Sequence, residues 1–509
     1  MPINYIPNDP LTQSAIPMRQ KSARRNRAST RAGFTFPPPP TNGVFSPGTP
    51  EFLFWQCREA ALTALSVWEG IDGTIKNWAR SANPKKLDLQ PNHGEDLNAY
   101  YDGQSLAFFE FTTGSKTTFS GASTDVVAHE AGHAVLDSLR PELWDDLYIE
   151  TGAFHEAFGD CMALLTALGD PSQRSKLRST VPNLDAENFL EATAEDLSDG
   201  VRRELGATHP AAKPRHARNN FVWRLPSTLP RVGPPDVLSS EIHSFARVFS
   251  GCFYDLIRLL YTNSATRSDT TLRTAARTAG KLLGAAARQA PVMPRFFRSV
   301  GRTMALVDES VNNGVNRQAI HDAFSRHGIA LGSSALLAPN ASLAGPAPKM
   351  AAKAATLSPT THNDLKRRLG LPLAARLLVQ PIRIAGQMLA QACSFREVSL
   401  GKLGKSLAGV VALAPERVLV GAMAKGAAIL SGMPDPFTTE DEVHAFVETL
   451  MKTNNIAMGG ERGSARGAVS GARKDRKPTH TIVSERGRKV LRRVRFACPA
   501  CGCGWPHGH

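Results

Sequence analysis

Residues 126–160 read VVAHEAGHAVLDSLRPELWDDLYIETGAFHEAFGD, and the placing of histidines and carboxylates in this stretch decides how the rest of the chain is read. Ser123 and Thr124 can cap a helix that runs through His129 and stops before Pro141, because the residue preceding a proline is pushed out of helical geometry. On that helix His129 and His133 are four residues apart and share a face. Two imidazoles so spaced can grip one zinc ion, while Glu130 projects beside them towards a metal-bound water. A second helical pattern supplies Glu156 as a third ligand, with Asp160 one turn on, able to accept the spare ring N–H of a ligand histidine. Ala153, Phe154, Ala157, Phe158, Met162, Leu164 and Leu165 surround these acids, so the helix reads as buried, and buried acids need partners. The competing reading is a pair of ordinary helices with a solvated acidic edge.

The chain has 509 residues and 42% hydrophobic content, enough for several domains with real cores. No apolar run approaches the ~18 residues of a membrane span, and the basic N-terminus is not followed by the apolar stretch of a signal peptide. The compartment stays undecided, cytoplasmic or reached by a non-standard route. Cys57, Cys161, Cys252 and Cys393 sit in apolar patterns and read as buried thiols. Of the +15 net charge, much lies at the ends: 461–509 holds twelve Lys or Arg against three acids, and 18–31 holds six with none. That distribution predicts basic tails, one of them a candidate contact for nucleic acid or an acidic partner.

Composition divides the chain further. Residues 1–48 are rich in Pro, Ser, Arg and Asn and are expected to be disordered or wrapped along the surface. Thr49-Pro50 signals the first helix. NAYYDGQSLAFFEF (98–111) reads as two short strands around an Asp-Gly turn. The expected units are a catalytic lobe at 49–165, a helical lobe at 166–331, a linker at 332–361, a helical extension at 362–455, and a Gly- and Arg-rich tail at 456–509. In the tail, Cys498, Cys501 and Cys503, with His507 and His509, form a candidate second metal cluster on the strength of one CxxC.

DVVAHEAGHAVLD followed by GAFHEAFGD resembles the thermolysin family of gluzincin metallopeptidases, whose pattern is HExxH, then a glutamate ligand on the next helix with an aspartate one turn beyond. The handling of zinc by two histidines and a glutamate is that family's signature. The resemblance spans roughly residues 50–331. It implies an α+β, two-lobed fold: an N-terminal lobe with an edge strand and the HExxH helix, and a mostly helical C-terminal lobe. To these the chain adds a helical extension and disordered tails. By the same resemblance His129, His133 and Glu156 are zinc ligands, Glu130 is the general base and Asp160 supports a ligand histidine. The gap from His133 to Glu156 is slightly long, which places a departure in SLRPELWDDLY (138–148).

Further segments match more loosely. Residues 98–111 resemble the edge strand on which the family lays its peptide, with the Asn98 side chain and Ala99 backbone holding it. SSEIHSFARVFSGCFYDLI (239–257) resembles the segment bearing a second catalytic histidine, here His243, oriented by Asp236 or Glu241. Arg202 is the candidate for binding the substrate carbonyl, and Tyr148 for a second oxyanion donor. In the family a calcium site lies behind the active site. Asp125 stands at one of its positions and Ala167 at another, so calcium is not expected here. The function implied is zinc-dependent hydrolysis of a peptide or protein. The alternatives are a zinc-binding pseudo-peptidase and a nucleic-acid or partner-binding protein acting through its tail.

Overall fold

The computed structural model describes residues 2–41, 43–332, 359–368, 371–374, 377–384, 387–422, 429–431, 439–457, 478–485 and 487–498. The first long helix, α1 (Pro50–Asp72), starts where Thr49-Pro50 predicts: the Thr49 hydroxyl accepts from Phe52 N at 3.2 Å, and Pro50 occupies the turn that needs no N–H. α2 (Thr124–Leu139) ends ahead of Pro141, and a short 3-10 turn, Pro141–Asp145, leads to α3 (Ile149–Gly169). Every residue of α3 from Ile149 to Leu168 is buried, as befits a helix that is apolar nearly all round. Around it follow α4 (Pro171–Thr180), α5 (Glu195–Leu205), α6 (Ile242–Thr262), α7 (Asp269–Gln289), α8 (Phe296–Asn312) and α9 (Arg317–Arg326). Edge-on ring contacts of Phe154 with Phe249 and Phe296, and of Phe158 with Trp68, weld α3 to α6, α8 and α1.

One face of this helical body meets a five-stranded sheet. β1 (Pro2–Tyr5) and β2 (Arg19–Ser22) form a separate hairpin; the sheet is built from β3 (Gly33–Thr35), β4 (Lys86–Gln90), β5 (Ala99–Tyr101) and β6 (Ser105–Phe108), with a further strand from the far C-terminus. β5 and β6 pair antiparallel around Asp102-Gly103, and Gly103, at φ 85°, supplies the left-handed backbone the turn requires. Tyr101 ties β5 to α2 by donating to Asp137 at 2.8 Å. Then come two hairpin strands, β7 (Glu110–Thr113) and β8 (Lys116–Phe119), and a two-residue pair, β9 (Ala192–Thr193) and β10 (Arg215–His216). The chain is therefore α+β, and no helix among the described residues is long and apolar enough to cross a membrane.

Three compositional expectations are corrected. Residues 2–41 are ordered: Ile3, Tyr5 and Ile6 are buried, and β3 belongs to the main sheet. A few large apolar residues anchor a segment whose average composition reads as disordered. The described residues of 362–455 hold more strand than helix. After α10 (Pro359–Arg368) come β11 (Leu377–Ile384), β12 (Gln387–Ser399), β13 (Val410–Ala422) and β14 (Ile429–Ser431), and only then the helix α11 (Thr439–Lys452), with the acids Glu440, Asp441 and Glu442 in its first turn. Leu, Ala, Gln and Met suit a helix locally, but cross-strand pairing of β12 with both neighbours overrides that preference. Nor is 456–509 simply a tail: β15 (Ile456–Ala457), β16 (His480–Glu485) and β17 (Arg488–Arg493) complete a seven-stranded sheet with β11 to β14. β18 (Phe496–Cys498) leaves that sheet and joins β5. Arg492 is spent on Glu485 at 2.9 Å, so part of the basic charge is internally paired. Residues 333–358 of the expected linker lie outside the described residues.

Gln56 fastens the N-terminal segment. Its side chain accepts from Ile6 N at 2.9 Å and donates to Ile6 O, Ala122 O and Thr124 Oγ1, each at 3.0 Å, in a fully buried setting. Gln56→Leu leaves buried backbone groups without partners and should cost about 1–3 kcal/mol. Thermal melts should fall and limited proteolysis within residues 2–41 should accelerate; an unchanged proteolysis rate would show that apolar contacts alone hold the segment.

Candidate metal centre

Helices α2 and α3 cross without room for a side chain between them. A Cβ on Gly132 would fall 2.9 Å from Gly159 Cα, and one on Gly159 would fall 2.5 Å from His129 Nδ1. This contact sets the His129 and His133 rings directly against the Glu156 carboxylate: their Nε2 atoms lie 3.3 and 3.6 Å from Glu156 Oε2. The start of α6 brings His243 Nε2 to 3.1 Å from the same oxygen. His129, Glu130 and His133 each offer a ligand atom within 4.8 Å of the others.

Around this focus stand buried polar atoms with no hydrogen-bond partner: both carboxylate oxygens of Glu130, Nε2 of His133 and Oε1 of Glu156. Buried polar groups are almost always satisfied, so unsatisfied ones gathered at one spot point to a group that completes them. Two imidazole nitrogens and a carboxylate are the donor set of a three-ligand zinc site with an open position. Of the two carboxylates, Glu156 sets Oε2 3.3 and 3.6 Å from the two Nε2 atoms, and Glu130 has an oxygen within 4.8 Å of a ring nitrogen of each histidine.

The second layer fixes the rings. His129 Nδ1–H donates to Asp160 Oδ1 at 3.0 Å, and Asp160 is itself held by Arg215 at 2.9 Å and by the Ser250 hydroxyl at 3.2 Å. His133 Nδ1 meets His155 Nδ1 at 3.2 Å. These contacts direct both Nε2 atoms inward. His243 is oriented by Glu241, which accepts its Nδ1–H at 2.8 Å and also caps α6 through His243 N and Ser244 N, each at 3.0 Å. The other candidate for that role, Asp236, is instead paired with Lys213 at 2.7 Å in an exposed position.

Burial opposes the charge on every one of these groups, and neighbours decide the outcome. Glu130 has no counter-charge strong enough, so burial, reinforced by Glu156, raises it to about 8 against the pull of His129. For Asp160, Arg215 and His129 overcome burial and hold it at about 2. Burial wins at His133, lowering it to about 4, whereas Glu156 and Glu241 overcome burial at His243 and raise it to about 10. The protein thus holds a neutral His133 with its Nε2 lone pair aimed at the cluster, and a His243 able to donate.

Not every expected residue is brought here. Ala99 lies in β5, and Asn98 turns its Oδ1 to Ala99 N at 2.9 Å, shaping the start of the strand. Tyr148 is corrected: its buried hydroxyl donates to the Pro415 carbonyl and approaches Thr439 Oγ1 at 3.4 Å, because β13 and α11 cover that side. Arg202 is corrected too; it stands on the exposed outer face of α5, donating to Asp199 at 2.5 Å. The arginine at the centre is Arg215, supplied by the two-residue strand β10, a context with no sequence signal. His155 was in view within the motif but unassigned. Of the cysteine cluster, Cys498 contributes backbone to β18, while Cys501, Cys503, His507 and His509 lie outside the described residues. No protein-family model matches this chain, and no curated protein is measurably similar to it, so the site rests on its own geometry.

Behind α2 a second group of acids forms. Asp125 is joined by Asp9 from the N-terminal segment and Glu195 from α5, all within 4.8 Å of one another. The Asp125 and Ala167 positions by themselves do not reveal these two acids, which come from distant segments. Asp125 accepts from Val126 N and Ala194 N, each at 2.7 Å, and Asp9 from Leu11 N at 2.8 Å and Asp196 N at 3.1 Å. Burial first, then mutual repulsion, lifts Asp9 and Glu195 well above the usual carboxylate range.

Two outcomes follow. Gly159→Ala forces the ring of His129 or the helix crossing to move, an overpacking cost of about 1–3 kcal/mol, visible as a lowered melting temperature with weakened metal retention. For Asp9, the folded state holds its proton at a pH where the unfolded state has released it, so its contribution to stability declines as pH rises from the ordinary carboxylate range towards the raised value. Asp9→Asn removes that decline. In chelator, its melting temperature relative to the parent should therefore climb with pH. A calcium-induced rise in the parent melt that Asp9→Asn abolishes would overturn the expectation that calcium is not used.

Proposed function

We propose that this protein is a zinc-dependent peptide hydrolase of thermolysin-like architecture. The observation that carries the reading is the convergence of His129 Nε2, His133 Nε2 and Glu156, with the two unpartnered oxygens of Glu130 alongside, next to the strand β5. His129, His133 and Glu156 would hold the metal, with Asp160, Arg215 and His155 fixing the two rings. Bound there, zinc would supply Lewis acidity and bring the pKa of a water close to ~7.

The chain's own residues account for the remaining steps. Glu130 takes the proton from the attacking water and delivers it to the leaving amine; its two buried carboxylate oxygens, without protein partners, stand beside the ligand histidines for that exchange. His243 donates from Nε2 to the oxygen on which negative charge develops, oriented by Glu241. With Tyr148 turned away, this donation falls to His243 without that tyrosine. β5 supports the substrate backbone by strand addition. The second reading, a metal-holding protein that binds peptides without cleaving them, is favoured by that reduced set of oxyanion donors.

Elemental analysis should find about one zinc per chain, the stoichiometry of a single three-ligand site, lost in His133→Ala and Glu156→Ala. Glu130→Gln should keep the metal and lose at least ~100-fold in the hydrolysis of a quenched peptide. Folded protein without zinc would remove the reading. Zinc-loaded protein whose hydrolysis is indifferent to Glu130→Gln would leave only the peptide-binding alternative.

A further inference from the structure

The far C-terminal strand does not end in solvent. β18 (Phe496–Cys498) pairs antiparallel with β5, in the register Phe496 to Tyr101, Ala497 to Tyr100 and Cys498 to Ala99, on the edge of β5 left free by β6. That edge is the one a strand-adding peptide would use. The side chains continue the match. Phe496, fully buried, stacks on His155 with centroids 4.0 Å apart and 20° between planes, and on His133 at 4.8 Å and 16°. The carbonyl of the next residue, Ala497, accepts from His243 Nε2 at 2.8 Å.

This segment is gripped on its approach. Trp144 Nε1 donates to Arg493 O at 3.0 Å and Arg493 Nε donates back to Trp144 O at 3.1 Å. The Arg493 guanidinium lies 4.1 Å over the Phe496 ring, whose edge contact with Trp144 is 5.4 Å, and Arg495 lies 4.8 Å over Tyr100. Trp144 belongs to the connection between α2 and α3, the stretch that departs in length from the pattern the chain otherwise resembles. The departure has a structural use: it clasps the C-terminal strand.

We propose that residues 493–498 are a tethered peptide occupying the strand-accepting groove of this site, so that the intact chain holds itself closed, and that the groove's ligand class is an extended peptide with an aromatic residue immediately before the carbonyl that His243 binds. The proposal deepens the peptide-hydrolase reading and rests on it for the consequence to catalysis, but the occupancy stands on contacts alone. It requires no new chemistry. A tether populated most of the time lowers the apparent affinity of any incoming peptide by the fraction of chains left open.

The test uses the full chain carrying Glu130→Gln, so that bound peptide is not consumed, and a fluorescein-labelled peptide of sequence RRVRFACP, that of residues 492–499. Anisotropy titrations should show binding at least ~10-fold tighter when Phe496→Ala is added, the gain expected if no more than about a tenth of the parent chains are open. Phe496→Leu keeps apolar volume while removing the ring stack, guards against a folding failure, and should shift affinity in the same direction by less. Folded, zinc-bearing variants that bind the peptide no better than the parent would overturn the proposal. With Glu130 restored, Phe496→Ala should also cleave a quenched peptide faster than the intact chain. Tighter binding without cleavage would overturn the hydrolase reading and leave the tether standing, whereas cleavage by the intact chain that Phe496→Ala does not increase would overturn the tether and leave the hydrolase.

Discussion

Everything at the centre depends on how closely α2 and α3 approach. Glycine stands at both helix positions where they touch, and its missing side chain is what lets the His129 ring lie against the backbone of the neighbouring helix. Interiors are close-packed and respond to a single added carbon. Had either position carried even a methyl group, the two histidines and Glu156 would not share one small volume. The surrounding α1, α6 and α8 hold α3 in place by aromatic packing, so the crossing is defined by more than the two helices alone.

A cluster of this kind, fully buried and rich in ionisable groups, is costly unless each charge has a counterpart. The protein meets that cost in layers. Asp160 is neutralised by Arg215 and in turn orients His129; Glu241 caps a helix and orients His243; His155 backs His133. The carboxylate of the cluster left without a hydrogen-bond partner is Glu130, and its unmet capacity together with that of His133 Nε2 and Glu156 Oε1 distinguishes the spot from a fully satisfied ion-pair network. Of the neighbouring acids, Asp9 and Asp125 are met instead by backbone N–H groups, from Leu11, Asp196, Val126 and Ala194.

The C-terminal chain changes the character of the molecule. Residues that composition marks as a basic tail form strands β16, β17 and β18, the last of them paired with β5 beside the candidate metal centre. Arg493, Phe496 and Ala497 lie more than 300 residues from His133 and His155 in sequence yet touch their immediate surroundings. No periodicity or spacing rule reaches over that distance.

What the sequence determined by itself was local. Proline and capping residues placed the ends of α1 and α2, an Asp-Gly pair placed the β5 to β6 turn, and helical spacing placed His129 and His133 on one face of their helix and Glu156 and Asp160 on one face of the next; each of these is settled within one or two turns of chain. What only the tertiary structure decided was long-range. It chose Glu241 over Asp236, left Arg202 on an exposed helix face while pairing Arg215 with Asp160, spent Tyr148 on a distant carbonyl, turned residues 377–384, 387–399 and 410–422 into strands, ordered the N-terminal segment, and seated the C-terminal strand on β5. The physical reason is common to all: a side chain's partner, and a weakly committed segment's secondary structure, are set by which surface is left to bury or pair after the strongly patterned helices have packed, and that surface does not exist until they have.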